Sequence, residues 1–450
     1  MAGLFAMSVN PSYIDPNTFL HDLYWGTLYQ QNLGEDHCGL GVCRGGELRH
    51  DTSEGWFEPN FKARMEDFAG TEGVGYCGAC QEPFYVDSKL GEMVLCFTGN
   101  IINRGELVKL LKMSGHTFER GDDIEVIAKL IAQGESVAAG IRHMAKKIVG
   151  AYTLLALTKE GIYASCSPNC HWPLVMGVKN GAVVVASESG GFDNLEFKVF
   201  EQVKPGETLL LKNGNWRSQE IIKSDRIQVC SFLWVYSLFP TAQINGIPAS
   251  WVRKRLGAVL ARRDIAAGFM PDVVTYIPDS GRSHALGYHQ EFCRQNNEGK
   301  ISRVPILEEV LSKFYFVGRS FTPRKKEKRR ERADKKQQKS AERFRGLKLV
   351  VCDDSIVRGT QTSENIVPKI RSLGFEEIHL RISNPELKSH CPWGKTTTAG
   401  DLFAVQHSSI QEKVRILKVE SLAYNTIEDL VEAIGMQRED LCIDCSLSRG

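Results

Sequence analysis

The sequence predicts a chain of two parts, an α+β domain followed by an α/β domain built on a parallel sheet. Three observations carry this. Residues 1–225 hold short β-rich runs punctuated by Gly, Asn and Ser, with few helices between them. Residues 226–425 alternate strand with helix. The length, 450 residues, is itself a prior for more than one domain. With 42% hydrophobic and 24% charged residues, the composition is that of a globular chain able to bury a sizeable core, which excludes disorder as the main state.

The elements follow in order. The strand runs of the first part are GLGVCRG, GVGYCGAC, EMVLCFTGN, AYTLLALT, GIYASCS and AVVVASES, each β-rich and bounded by turn residues. Helical stretches are expected at Phe19 to Gln31 and Asp123 to Ala132. Strands with few helices between them argue for a layered α+β domain. In the second part SWVRKRLGAVLARRD is a helix, PDVVTYIPDSG a strand and loop, and SHALGYHQEF a helix. LKLVVCDDS is a strand and loop, TSENIVPKIRSLG a helix, and EEIHLRIS a strand. Such alternation implies a parallel sheet with right-handed crossovers. Residues 426–450 contain a short helix, TIEDLVEAIG, and a cysteine-bearing tail. No internal repeat is evident.

Lys and Arg number 56 against 54 Asp and Glu, a net charge of +2. A whole-chain polyanion binder is more basic than this, so nucleic acid is not an expected partner. The charge is uneven. Residues 324–346 carry twelve Lys or Arg against four Asp or Glu, leaving a net −6 for the rest. The first residues lack a basic, apolar leader, and no apolar run approaches the roughly 20 residues of a membrane span. A cytoplasmic location without membrane attachment is expected, and the thirteen cysteines are expected to be mostly reduced.

The most informative segment is LKLVVCDDSIVRGTQTSENIV. A hydrophobic strand ends in Asp353 and Asp354. The loop Ser355, Ile356, Val357, Arg358, Gly359, Thr360 follows, and then a helix begins. Adjacent acids at a strand end can hold ribose hydroxyls or a divalent cation. Loop N–H groups at a helix N-terminus suit a phosphate.

This string resembles the phosphoribosyl diphosphate (PRPP) signature of type I phosphoribosyltransferases, in the form found in the amidophosphoribosyltransferase family. Further matches run along about residues 1–445: Ile277–Gly281 with Ala285–Tyr288, Val317–Phe321, Val229–Phe232 with Tyr236, Gly99–Asn100, Asp123–Val126, Gly150–Tyr152 and Ala186–Ser189. The resemblance implies an Ntn-hydrolase-like αββα sandwich at 1–225, a type I phosphoribosyltransferase (Rossmann-like) domain at 226–425 and a tail at 426–450. It implies that Asp353 and Asp354 hold the ribose and, with the diphosphate, Mg²⁺. Ser355–Thr360 would hold the 5′-phosphate, and Asp279, Ser280 and Gly281 would approach the diphosphate. Gln361 stands where the family has Thr. The basic segment, with Lys336 aligned to a family Lys, corresponds to a lid over PRPP. A charged linker or a nucleic-acid patch remains the alternative reading of its composition.

The first half departs from the family at its glutaminase chemistry. The family's nucleophilic Cys is Ala2 here, so no catalytic residue occupies that position; a natural or an engineered change gives the same residue. The Arg that binds the substrate carboxylate is replaced by Gly75. An oxyanion-hole Asn is replaced by Thr98, and the QHRG motif reads Gln31–Asn32–Leu33–Gly34. Gly99 and Asp123 are retained, so the fold is expected to persist without the activity. Cys38, Cys77 and Cys80 lie near the same motifs, as ligands, a redox pair or small core residues.

One class of the family holds a [4Fe–4S] cluster on four cysteines, and Cys230, Cys391, Cys442 and Cys445 stand in the matching contexts. Structural zinc and free thiols remain open. The resemblance implies a glycosyltransferase of purine-type biosynthesis acting on PRPP and ammonia or another acceptor. The chain would form homo-oligomers, with a partner as a candidate ammonia source. The alternative is a catalytically silent, PRPP-sensing regulatory or scaffold protein.

Overall fold

The computed structural model describes residues 2–224, 226–313, 337–339, 344–394 and 399–448. Lys336, Val317–Phe321 and most of the basic segment lie outside the described residues. The chain divides into two compact units. The first comprises Met1–Cys230, Thr241–Gly246 and Pro392–Lys395. The second comprises Ser231–Pro240, Ile247–Cys391 and Thr396–Gly450.

In the first unit β1 (Gly3–Val9) is followed by α1 (Pro16–Leu28), β2 (His37–Arg44), β3 (Glu47–Glu54), β4 (Glu72–Gly78), β5 (Phe84–Ser88) and β6 (Gly91–Ile101). Helices α2 (Arg104–Met113), α3 (Asp123–Ile131) and α4 (Val137–Lys147) come next. They lead into β7 (Gly150–Thr158), β8 (Gly161–Cys166), β9 (Val175–Lys179), β10 (Ala182–Ala186), β11 (Lys198–Gln202), β12 (Glu207–Lys212) and β13 (Asn215–Ile221). One sheet runs β11-β9-β10-β1-β4-β2-β3 and the other β13-β12-β8-β7-β6-β5. Strand alternation sends successive side chains to opposite faces. Leu4 and Ala6 of β1 meet Cys96, Leu155 and Leu157 of the other sheet in the central core. Phe5 and Met7 pack outward against Phe19 and Leu23 of α1. On the far side Leu95 and Leu154 pack against Ile127 of α3 and Ile141 of α4. The layers are therefore αββα, the sandwich expected from the resemblance.

Helix α1 begins earlier than its apolar pattern indicates. Asp15 caps it, accepting from the N–H groups of Asn17 and Thr18 at 2.9 and 3.2 Å, and Pro16 fits the first helical position. The helix ends at Leu28, not Gln31, because Gln31–Leu33 tightens into a 3₁₀ turn. Helices α2 and α4 are additions to the two helical stretches expected in this part.

The second unit carries α5 (Ala249–Ala266), β14 (Val273–Tyr276), α6 (Arg282–Asn297), β15 (Ile306–Leu307), β16 (Lys348–Asp353), α7 (Val367–Arg371), β17 (Glu377–Ile382), α8 (Ile410–Leu417), β18 (Ser421–Tyr424) and α9 (Ile427–Ile434). Its sheet runs β15-β14-β16-β17-β18 with every pairing parallel. Helices α5 and α6 cover one face through Leu260, Tyr288 and Phe292. Val367, Ile370 and Leu417 cover the other. Glycines let α5 and α6 meet backbone to backbone. A Cβ on Gly257 would lie 1.9 Å from His284 O, and one on Gly287 1.9 Å from Lys254 O. The helix expected over 362–374 is broken, with a π-turn at Thr362–Ile366 before α7, where Pro368 supplies no N–H. Helix α9 has a capping box from Thr426 and Asp429 and stops at Gly435, whose φ is +83°. Among the described residues no helix is long and apolar enough to cross a membrane.

A buried triad ties this unit together. Asp264 on α5 accepts from Arg381 Nε at 2.6 Å and Nη2 at 2.8 Å, and from Tyr288 Oη at 2.6 Å. Asp264→Ala strands the Arg381 charge in the core, an effect worth about 3–5 kcal/mol. Urea unfolding of the variant is expected to show a loss of that order, and a loss no larger than that of a surface substitution would show the triad to be dispensable.

Candidate functional site

The C-terminal end of β16 is where an α/β sheet of this kind opens to ligands. Asp353 and Asp354 end the strand, 8% and 5% exposed. Their main chain is fully engaged. Ile277 N–H donates to Cys352 O, Ser383 N–H to Asp353 O and Asn384 N–H to Asp354 O, at 3.0, 3.0 and 2.7 Å. The side chains gather donors: Asp354 N–H and Ser280 Oγ on Asp353 Oδ1 at 2.9 and 3.3 Å, and Ser355 Oγ on Asp354 Oδ2 at 2.7 Å.

Burial pushes the Asp353 carboxyl well above the ordinary carboxylate range, and the adjacent Asp354 charge adds to the effect. Burial raises Asp354 as well, while the Ser355 and Ser280 hydroxyls and the Arg253 charge act against it. Two buried like charges side by side resist joint ionisation. A divalent cation removes that conflict, and Mg²⁺ is commonly held by one or two carboxylates together with substrate phosphates. The donor set fits that metal.

The loop after the dyad is shaped by what packs on it. Ile356 is buried in the core beneath. Gly359 has φ +73°, and a Cβ there would lie 2.6 Å from the Phe403 ring; glycine alone meets both demands. Phe403 N–H donates to Val357 O at 2.8 Å, and Ser363 N–H to Gly359 O at 2.9 Å. Arg358 pairs with Asp401 at 3.2 Å. Across from it, Gly281 caps α6, and a Cβ on Gly281 would lie 2.3 Å from Cys352 O. Asp279 pairs with Lys313 at 2.9 Å and Arg282 at 3.3 Å. The structure thus brings the two expected loops, 279–281 and 353–360, to one strand end, joined by the Ser280–Asp353 hydrogen bond.

Three neighbours of this site were not singled out from sequence. Lys313 and Arg282 are placed by folding alone. Arg253 reads as one more cation in a basic helix, yet it is 3% exposed and donates to the carbonyls of Trp234, Tyr236 and Leu238. No residue pattern announces a buried arginine of that kind.

In the first unit the residues that the resemblance aligns with glutaminase chemistry are mostly buried. Ala2 is 4% exposed and its N–H donates to Thr98 Oγ1 at 2.8 Å. Gly75 lies opposite Phe5 in the sheet, and a Cβ there would lie 1.9 Å from Thr27 Oγ1. Tyr76 is buried with its Oη accepting from Cys80 N–H at 3.2 Å. A Cβ on Gly78 would meet that hydroxyl at 2.1 Å and Ala2 Cβ at 2.7 Å. Gln31 accepts from Phe57 N–H at 2.8 Å, and Asn32 Nδ2 donates to Glu188 Oε2 at 3.2 Å. Asn100 Nδ2 donates to Pro392 O at 2.8 Å, and Asp123 Oδ2 accepts from Ile101 N–H at 3.3 Å. Cys38 and Cys77 face each other across β2 and β4 and are fully buried. Burial pushes Cys38 up to about 12, while Cys80 is exposed.

All four cysteines expected to ligate a cluster lie among the described residues. Cys230 belongs to the first unit, its N–H donating to His171 O at 3.1 Å. Cys391, Cys442 and Cys445 belong to the second, where Lys388 and Ser389 N–H donate to Cys445 O. Burial pushes both Cys442 and Cys445 up to about 12, and Cys391 contributes to each shift. Among the described residues no group of three or more His, Cys, Asp or Glu side chains is arranged to hold a metal ion.

Comparison with known proteins follows the same lines. A glutamine amidotransferase domain family matches residues 78–194. The chain is similar to the amidophosphoribosyltransferase of Methanocaldococcus jannaschii, 30% identical over 94% of this chain and 92% of that protein. It is also similar to the amidophosphoribosyltransferase of Bacillus subtilis, 29% identical over 94% of this chain and 89% of that protein. Among solved structures it is similar to the glutamine PRPP amidotransferase of B. subtilis complexed with ADP and GMP. The TM-score there is 0.85 at 27% identity, covering 98% of this chain and 96% of that one.

Proposed function

The chain belongs to the amidophosphoribosyltransferase family, and from that premise we propose that it transfers the phosphoribosyl group of PRPP to ammonia or another amine without hydrolysing glutamine itself. The division of labour follows residues 1–225, 226–425 and 426–450, with the transfer chemistry in the second of these. The observation that carries the reading is the buried Asp353–Asp354 pair at the mouth of the Ser355–Thr360 loop, faced by Ser280.

In this reading the dyad holds the ribose hydroxyls and Mg²⁺, which neutralises charge on the diphosphate when bound. Loop N–H groups hold the 5′-phosphate, and residues 279–281 approach the diphosphate. The amine nitrogen bonds to ribose C1 as the C1–O bond breaks, and the electron pair leaves with diphosphate. Charge at C1 is positive along the way, so positioning and electrostatics supply the rate. Asp353→Asn with Asp354→Asn removes two charged hydrogen-bonding groups, each worth about 1.5–3 kcal/mol. Calorimetry is expected to show Mg·PRPP binding weakened at least about tenfold, and unchanged affinity would sink the assignment. Binding without turnover on any amine would favour the silent, PRPP-sensing reading.

The absent glutaminase is supported by Ala2 and by the 1.9 Å approach of Thr27 to a Cβ at Gly75, which leaves no room for a carboxylate-binding arginine. Restoring the nucleophile is then not enough. Ala2→Cys is expected to release no glutamate from glutamine, since one missing oxyanion donor alone costs about 10²–10³ in rate. Glutaminase turnover of ordinary size in that variant would restore the conventional glutamine-dependent reading.

The reading extends to Cys230, Cys391, Cys442 and Cys445 as [4Fe–4S] ligands. Its support is the resemblance and the mutual influence of Cys391, Cys442 and Cys445; against it stands the absence of a gathered ligand group among the described residues. Anaerobically purified protein is expected to be brown with roughly four iron per chain, lost in Cys442→Ser. Colourless protein carrying stoichiometric zinc would replace the cluster with a zinc site.

A further inference from the structure

Two polar atoms near the dyad are buried without a hydrogen-bond partner: Ser383 Oγ, just past the end of β17, and Asn425 Oδ1, just past the end of β18. Ser383 is 0% exposed and Asn425 3%. The amide of Asn425 cannot turn to hide its oxygen. Its Nδ2 donates to Leu256 O at 3.1 Å and to Ser383 O at 3.0 Å, which fixes Oδ1 as a free acceptor. Ser383 is stitched to the dyad through the main chain, its N–H donating to Asp353 O at 3.0 Å, and Asn425 N–H donates to Ile382 O, the residue before Ser383, at 3.2 Å.

Folded proteins pair nearly all buried polar atoms, with ordered water or ligand where protein does not. Two orphans at the strand ends where α/β sheets take ligands therefore mark a seat for a small guest. Its chemistry follows from the atoms. An amide oxygen only accepts, and a hydroxyl accepts or donates, so the guest carries N–H or O–H donors. A neutral amine that spends its N–H groups on Asn425 Oδ1 and Ser383 Oγ keeps its lone pair free for bond formation.

We infer that Ser383 and Asn425 form the seat of the amine acceptor, ammonia or a small primary amine, beside the ribose site. This rests on the transferase reading above. In the step, the nitrogen–C1 bond forms, the C1–O bond breaks with its electron pair leaving on diphosphate, and the nitrogen sheds one proton to water.

The test follows diphosphate release by the full chain with Mg·PRPP and ammonium chloride as probe. Ser383→Ala removes only the unpartnered hydroxyl. Asn425→Leu removes the acceptor but also the donor to two carbonyls, so its folding is checked by thermal melting; if it fails to fold, Ser383→Ala decides. The KM for ammonia is expected to rise about fivefold in Ser383→Ala and about tenfold in Asn425→Leu, the scale of one neutral hydrogen bond, with the KM for PRPP unchanged. An unchanged ammonia KM in Ser383→Ala overturns the seat, which then holds only water, and leaves the transferase reading standing. A wild-type chain that binds Mg·PRPP yet releases no diphosphate with ammonia overturns the amine-transfer reading, and the seat with it.

Discussion

Two carboxylates held side by side in a buried strand end are costly, and much of the second unit is arranged around that cost. Asp353 and Asp354 resist joint ionisation because burial removes the water that would separate their charges. The frame offsets this in fixed ways. Hydroxyls of Ser280 and Ser355 point at the carboxylates, the Arg253 charge favours the ionised form of Asp354, and the main chain of both residues is locked by Ser383 and Asn384. Arg253 is held in turn by three carbonyls of the 234–238 turn, and His284, packed by the Gly257–Gly287 crossing, bonds Arg253 O at 3.1 Å. Burial drives that histidine down to about 3, so it stays neutral and adds no charge to the neighbourhood at any physiological pH.

The first unit illustrates the opposite relation between fold and chemistry. Its three apolar layers draw their stability from burying Leu, Val and Phe side chains between sheets and helices, which asks nothing of the chemistry at their edges. Around Gly75 and Gly78 the packing is close: a Cβ would meet Thr27 Oγ1 at 1.9 Å at the first, and Tyr76 Oη at 2.1 Å and Ala2 Cβ at 2.7 Å at the second. Close packing of this kind makes a larger side chain at either glycine hard to admit one residue at a time.

What sequence could reveal followed from how local each signal is. The Asp353–Thr360 string is one strand, one turn and one helix start, all within a dozen residues, so its architecture was legible. The strand runs were legible for the same reason. The end of α1 is hidden in the sequence, because the Gln31–Leu33 turn keeps helical residue types while changing hydrogen-bond geometry. The break at Thr362–Ile366 has no local signal, because Pro368 sits in a run whose residue types read as one continuous helix. Arg253, Lys313 and Arg282 were invisible as site neighbours because their roles depend on tertiary placement. So were the unpartnered atoms of Ser383 and Asn425, which look like ordinary turn residues in a row of letters.

The tail belongs to this frame rather than hanging from it. Lys388 and Ser389 N–H donate to Cys445 O, Ser389 Oγ donates to Leu447 O, and Ser231 donates to Cys442 O. The segment bearing Lys388 and Ser389 is the one whose start locks Asp353 and Asp354. Midway along it Glu386 pairs with Lys413, a lysine whose side chain is 1% exposed. With the Lys413 charge buried, removing Glu386 leaves that charge poorly compensated. The cysteine turn and the dyad are thus hydrogen-bonded to the two ends of one short segment, Ser383 and Asn384 at the dyad, Lys388 and Ser389 at Cys445.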